Sequence, residues 1–208
     1  MRVLTVDNIL DQKIDSVNWT GEMYEAFDHP QAKGVWFIWS PSGNGKSSFV
    51  MALARAFADQ GMNVFYNSLE EGTRDKEFQK RVQRYKMSEV KTHFKAQVFN
   101  LADLIKYLKK RNNTRVCIID SARYQFKSFE EYETLVKMFP EMIFIITGHG
   151  KGSQPKTSME EDIMFDAYQK IRVDAYAAYC KSRSIGPNGG KYVIWKEKHE
   201  EMQGASQK

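Results

Sequence analysis

Cysteine is nearly missing from this chain: 208 residues carry two, Cys117 and Cys180. Each lies in an apolar run that reads as a buried strand, so neither a disulfide framework nor a zinc site is indicated, and a reducing cytoplasm is the expected setting. No run approaches the ~20 apolar residues needed to span a membrane. The stretch from Met1 to Asp15 alternates apolar and acidic residues without the basic-then-apolar order of an export signal. The absence of internal repeats and low-complexity tracts excludes solenoid and fibrous architectures.

What is present is the balance of an ordinary globular protein, 42% hydrophobic and 27% charged. The length suits one α/β domain with one active site. Lys and Arg number 31 against 26 for Asp and Glu, a net charge of +5 that permits a polyanionic partner without requiring one.

Short apolar runs alternate with helical periodicity, which predicts a mainly parallel sheet flanked by helices, in βα order throughout. Strands are expected at Val35 to Trp39, Val64 to Asn67, Val116 to Asp120, Ile143 to Thr147, Ile171 to Tyr179 and Tyr192 to Trp195. From Ser47 to Asp59 the residues Phe49, Val50, Leu53, Ala56 and Phe57 share one helical face, and Gly61 follows as a stop. Further helices are expected at Arg74 to Lys86, Leu101 to Lys110, Phe129 to Met138 and Met159 to Tyr168. Residues 1–33 read as an N-terminal extension packing on the core, 34–197 as the core and 198–208 as a flexible tail.

Ser40-Pro-Ser-Gly-Asn-Gly-Lys-Ser47 matches GxxxxGK[ST] at its last three positions and departs at the first, where Ser40 replaces glycine. A triphosphate needs converging backbone N–H groups, a tight turn and a helix N-terminus aimed at the anion. Residues Ser42, Gly43, Asn44, Gly45, Lys46, Ser47 and Ser48 are therefore assigned to nucleotide binding. Lys46 supplies an ammonium for the terminal phosphates, and Ser47 a hydroxyl for Mg²⁺. The strand before the loop and the amphipathic helix after it distinguish this segment from a chance Gly/Ser turn. Asp120 ends an apolar strand and is assigned to the metal side. Glu70, with Glu71 beyond another buried run, is the candidate general base; a solvated acidic pair at a helix start is the alternative.

These motifs resemble the RecA-like P-loop NTPases, most closely the RadA, KaiC and DnaB-helicase branch, from about Gly34 to Trp195. Tyr66-Asn-Ser-Leu-Glu-Glu-Gly72 is similar to the segment whose first glutamate activates the attacking water, which gives Glu70 that role. Cys117-Ile-Ile-Asp-Ser121 resembles the second Walker strand. Ile145-Ile-Thr-Gly-His-Gly-Lys151 resembles the strand between the two Walker strands, and implies that His149 is a γ-phosphate sensor, a plain loop residue being the alternative. Tyr179-Cys-Lys-Ser-Arg-Ser-Ile-Gly186 looks like the Lys-x-Arg segment and implies that Lys181 and Arg183 reach a neighbouring subunit's nucleotide, a solvated basic turn being the alternative. The resemblance implies assembly as a homo-oligomeric ring or filament, whereas the sequence departs from long family members in lacking a zinc knuckle, a protease-like C-terminal domain and an obvious polymerisation arm.

The resemblance implies a magnesium-dependent ATPase of DNA recombination, repair or replication. Single-stranded DNA would meet Lys127, Lys151 and Lys156, with Tyr124 and Phe126 stacking on bases. Lys106, Lys109, Lys110 and Arg111 merely suit a helix C-terminus. Two other readings stand beside this one. A small-molecule kinase, of the nucleoside or nucleotide type, would line its acceptor pocket with Arg74, Arg81 and Arg84, and a KaiC-like module would signal by nucleotide-gated assembly. No Asn-Lys-x-Asp segment points to guanine, so ATP is the expected nucleotide.

Overall fold

The computed structural model describes residues 3–110 and 113–205; Arg111, residues 1–2 of the extension and residues 206–208 of the expected tail lie outside the described residues. In chain order the first elements are α1 (Val6–Leu10), α2 (Gly21–Phe27), β1 (Gly34–Ser40), α3 (Lys46–Asp59), β2 (Asn63–Ser68), α4 (Lys76–Arg84), β3 (Phe94–Gln97) and α5 (Leu101–Lys109). There follow β4 (Thr114–Asp120), α6 (Ala122–Gln125), α7 (Phe129–Met138), β5 (Ile143–Lys151), β6 (Gln154–Pro155) and α8 (Ser158–Asp166). The chain then runs through β7 (Gln169–Asp174), β8 (Ala177–Cys180), β9 (Lys191–Val193) and α9 (Lys196–Ala205).

The strands form one mixed sheet in the order β3-β2-β4-β5-β1-β7-β8-β9, with β6 paired to β5. Pairings from β3 across to β7 are parallel, whereas β7, β8 and β9 are antiparallel. The expected α/β class and mainly parallel sheet are present, and β5 lies between β4 and β1 as the resemblance implied.

Period-two geometry decides which side chain meets which helix layer. Along β1, Trp36 and Ile38 pack with Phe49, Leu53 and Phe57 of α3, whereas Val35, Phe37 and Trp39 join Leu104, Tyr132, Leu135 and Ile163 from α5, α7 and α8. Both layers are buried, so the parallel strands read as continuous apolar runs. Trp19 of the N-terminal extension is buried against Trp36, Phe27 and Phe57, at ring separations of 5.4, 5.7 and 5.1 Å. Among the described residues no helix is long and apolar enough to cross a membrane.

Three expectations are corrected, and one strand is added. The run Ile171 to Tyr179 is two strands, because Ala175 and Tyr176 both take left-handed φ values of 45° and 56° and turn the chain sharply. No glycine, asparagine or proline marks that turn, and its apolar alternation mimics a single strand. The βα order therefore stops at β7. Strand β3 is short, half exposed and paired only to β2 among the described residues, so it lacks the continuous apolar run that marks β1, β2, β4 and β5. Residues 196–205, within or next to the segment read as a tail, are helical, and His199 is buried with Nδ1 2.6 Å from the Ala175 carbonyl.

Candidate active site

The loop after β1 bends at Gly43 and Gly45, whose φ values are +80° and +95°. That is the left-handed region in which only glycine is unstrained. Gly45 caps α3, so the helix N-terminus and its unpaired N–H groups face the cavity above the sheet. Gly45 is also constrained by packing: a Cβ there would stand 2.9 Å from the Tyr176 ring. The β7–β8 turn clamps the loop from this side. The Asn44 side-chain oxygen accepts from Ala175 N at 2.8 Å, and its backbone oxygen from Tyr176 N at 3.1 Å. Asn44, assigned to the nucleotide from sequence, thus turns its amide group away from the cavity and into the support of the loop.

Asp120 ends β4 at the carboxyl edge of the sheet, level with Ser68 of β2. Its Oδ1 accepts from Thr147 Oγ1 at 2.6 Å and from Lys46 Nζ at 3.4 Å, and its Oδ2 accepts from the Tyr66 hydroxyl at 2.8 Å. Burial by itself pushes this carboxyl up, but the Lys46 charge and the bonds from Thr147, Tyr66 and Lys46 outweigh it and hold Asp120 below the usual carboxylate range. Burial, then the negative charge of Asp120, pushes the Tyr66 hydroxyl well above the ordinary phenol value, so it stays a donor.

Glu70 is carried to the same place by backbone bonds. Leu69 N and Glu70 N both donate to the Asp120 carbonyl at 2.9 Å, folding the segment after β2 over the end of β4. Glu70 Oε2 lies 3.9 Å from Lys46 Nζ and 3.4 Å from His149 Nε2, the latter without hydrogen-bond alignment. His149 is level with Ser40 across the β1–β5 pair. Its backbone N–H donates to the fully buried Glu160, which also closes a capping box on Thr157 at the start of α8. Gly150 lets β5 run against the start of the phosphate loop, since a Cβ there would meet Ser40 C at 2.7 Å.

These groups line a cavity of about 320 Å³: Ser40 to Gly43, Gly45 to Ser48, Glu70, Glu71, Arg81, Arg84, His149, Tyr176 and Trp195. Lys46, Ser47, Glu70 and His149 are brought together as the sequence suggested. Asp120, 2% exposed, lies beneath and meets the cavity through Lys46. A second, more apolar cavity of about 380 Å³ adjoins it, lined by Ser48, Arg84, Tyr85, Tyr176, Ile194 and Trp195. Tyr66, Tyr85, Thr147, Tyr176 and Trp195 were not singled out from sequence as site residues; only the aromatic character of the segments flanking Glu70 and the β7–β8 turn hinted at them.

Other assigned residues lie elsewhere. Lys181 lines a separate cavity with Trp39, Lys170, Arg172 and Tyr179, and Arg183 lies over the Tyr168 ring, so neither reaches the phosphate cavity of its own chain. Lys151 and Lys156 are exposed on and beside the β5–β6 hairpin, and Lys127 is exposed before α7. Phe126 is corrected as a base-stacking residue: it is 4% exposed and packs edge-on against Tyr132. Tyr124 is exposed. Arg81 and Arg84 line the phosphate cavity, but Arg74 does not.

The donor set suits a magnesium ion. Ser47 offers a hydroxyl at the cavity wall, and Asp120 a carboxylate kept ionised beneath it, both the hard oxygen ligands that Mg²⁺ prefers. A cation, Lys46 Nζ, already stands between Asp120 and Glu70. Among the described residues no group of three or more His, Cys, Asp or Glu side chains forms a cage for a metal.

No protein-family model and no curated protein matches the sequence. Solved structures do resemble the fold. A KaiC-like protein from the archaeon Pyrococcus horikoshii superposes with a TM-score of 0.65 at 18% identity, over 87% of this chain and 99% of that one. The flagellar accessory protein FlaH of Methanocaldococcus jannaschii gives 0.59 at 14%, over 86% and 92%. The RadB recombinase gives 0.58 at 14%, over 82% and 90%. The shared architecture is the RecA-like P-loop fold.

Proposed function

Taking the RecA-like P-loop fold as premise, we propose that this chain binds ATP and hydrolyses it to ADP and inorganic phosphate. The observation that carries the reading is the position of Lys46 Nζ, at the N-terminus of α3 and between Asp120 Oδ1 at 3.4 Å and Glu70 Oε2 at 3.9 Å. A cation is thereby poised between the acid of the metal side and the acid of the water side, under a ring of backbone donors.

In this reading the N–H groups of the loop from Gly43 to Ser48 bind phosphate oxygens, and Lys46 leaves the acids for the β and γ phosphates. Ser47 and Asp120 would hold a magnesium ion, which when bound neutralises charge on the phosphate oxygens. Glu70 takes a proton from water as the water oxygen bonds to the γ-phosphorus. The bond from that phosphorus to the bridging oxygen breaks, and its electron pair leaves with ADP. His149 reports the γ-phosphate to the β5–β6 hairpin, and the aromatic cavity beside Tyr176 and Trp195 takes the base.

Lys151 and Lys156 flank this hairpin, two and seven residues beyond His149 in the sequence, which supports single-stranded DNA as the partner and recombination, repair or replication as the setting. The similarity to the RadB recombinase points the same way. The similarity to a KaiC-like protein favours a second reading, nucleotide-gated assembly.

Phosphate release from ATP and Mg²⁺, measured with and without a single-stranded oligonucleotide across a salt series, tests the proposal. Magnesium-dependent turnover that rises with DNA and loses the rise at high salt is expected. Turnover indifferent to DNA, accompanied by a nucleotide-dependent change of mass in solution, would favour the assembly reading. Failure to bind ATP would overturn both.

A further inference from the structure

The phosphate cavity contains an arginine pair that the resemblance does not supply. Helix α4 starts one turn after Glu70 and Glu71, fixed by Asp75, which accepts from Glu77 N and Phe78 N. Phe78 is buried and meets Tyr66 edge-on at 5.3 Å, anchoring one helix face to β2. Arg81 and Arg84 follow at successive intervals of three, so the anchored face also carries them to the cavity beside Lys46, Ser47 and Glu70.

Their pairing is unequal. Arg81 is largely buried, its side chain 12% exposed; its guanidinium pairs with Glu71, and its Nε–H is buried with no acceptor. A guanidinium carries five N–H donors in a fixed fork, so a single carboxylate leaves hydrogen-bonding capacity unused. Arg84 is exposed at the rim. Two of the cavity's cations are held by acids without nucleotide: Lys46 lies near Asp120 and Glu70, and Arg81 is paired with Glu71. A polyphosphate entering the cavity competes with these acids for Lys46 and Arg81.

Resting on the ATPase reading above, we infer that Arg81 is a catalytic cation supplied within the chain: it leaves Glu71 for the γ-phosphoryl oxygens when ATP is bound. Glu71 is the latch that holds it beforehand. As the water oxygen bonds to the γ-phosphorus, its proton passes to Glu70, and the breaking bond's electron pair leaves on the ADP oxygen. Arg81 N–H groups donate to the oxygens on which charge is then spread. The site of one chain thus has its own guanidinium, whereas Lys181 and Arg183 point to other surroundings.

The test uses the full chain with Arg81→Ala, Arg81→Lys, Glu71→Gln and Lys46→Ala, each first compared with wild type by circular dichroism. Arg81→Ala is expected to lower turnover by about 10²-fold and to erase the preference for a non-hydrolysable ATP analogue over ADP. Arg81→Lys, which keeps charge and bulk, should still fall more than about 10-fold, because the planar fork is lost. Glu71→Gln should tighten the ATP analogue relative to ADP. Mixing Arg81→Ala with Lys46→Ala should leave the rate at the sum of the two, since each active site needs both residues from the same chain. Wild-type turnover in Arg81→Lys, or restored turnover on mixing, overturns the inference while leaving the ATPase reading intact. A wild-type chain that binds no ATP overturns both.

Discussion

The Tyr66 hydroxyl donates to Asp120 Oδ2 at 2.8 Å, so the acid at the end of β4 is oriented by a phenol from the adjacent strand β2. Tyr66 is fully buried and its partner nearly so, which places the bond out of competition with water. Tyr66→Phe should cost about 1.5–3 kcal/mol at neutral pH, the range for hydrogen bonds to a charged group. The sign of its pH dependence follows from linkage. Asp120 titrates below its unfolded value, so its ionised form contributes stability above an unfolded pKa of about 3.9, and that contribution is lost as pH falls through the lower folded value. Removing the donor raises the folded value, so acid unfolding should begin at a higher pH. Superimposable urea midpoints for wild type and variant from neutral pH downwards would show that the bond has no such role.

Lys46→Ala removes the ammonium that stands between the two acids. Magnesium-dependent ATP binding and turnover should both disappear while the far-ultraviolet circular dichroism is kept. Asp120 then loses its nearest cation, so burial, which pushes its carboxyl up, gains weight, and thermal stability should fall as well. Titration with a fluorescent ATP analogue decides the matter, and unchanged affinity would remove the phosphate assignment.

Glu70→Gln keeps the shape of the side chain but cannot accept the water proton. ATP should bind within a few-fold of wild type, and hydrolysis should slow by about 10²- to 10⁴-fold, the usual contribution of a positioned base. Single-turnover kinetics separates the two effects. Wild-type rates would return Glu70 to the role of a surface acid.

Gly45→Ala tests the clamp between the phosphate loop and the β7–β8 turn. The new methyl would have to occupy space 2.9 Å from the Tyr176 ring, on a backbone with φ of +95°. Loop and turn must separate, so the backbone donors shift and ATP affinity should drop by at least about 10-fold, on top of the roughly 1–2 kcal/mol of stability that a left-handed alanine costs at either glycine. Gly61, also at positive φ but with open space around its Cβ position, provides the comparison: Gly61→Ala should lower stability without changing ATP affinity. Equal ATP affinity for Gly45→Ala and wild type, measured by calorimetry, would show that the clamp does not shape the cradle.

Much of the layout was legible in the residues. The buried runs at β1, β2, β4 and β5 stood out because parallel strands covered on both faces are continuously apolar. Phe129–Met138 spans the residues that the sequence predicts, and the structure adds its Ser128 cap and first-turn acids Glu130 and Glu131. The β7–β8 turn was not legible, because Ala175 and Tyr176 adopt left-handed backbone without the residues that usually announce it. Phe126 illustrates the converse: an aromatic in a polar segment looked available for stacking, and packing against Tyr132 withdrew it.

The sequence by itself determined where the cradle lies, since Ser40 to Ser48 is one continuous segment whose glycines, helix start and preceding strand are read from neighbouring residues, although the β7–β8 turn holds it in place. It also determined the sheet class, because continuous apolar runs and a 3.6-residue period alternate along the chain. Which distant side chains meet at the cradle was decided by tertiary structure alone. Tyr66, Thr147, Arg81 and Tyr176 reach the loop or its acid only because β2, β4, β5 and β1 stand in that order, with α4 packed on β2 and the hairpin folded back on Asn44. Strand order is set by the combined packing of both faces of the sheet, and no local stretch of residues encodes it.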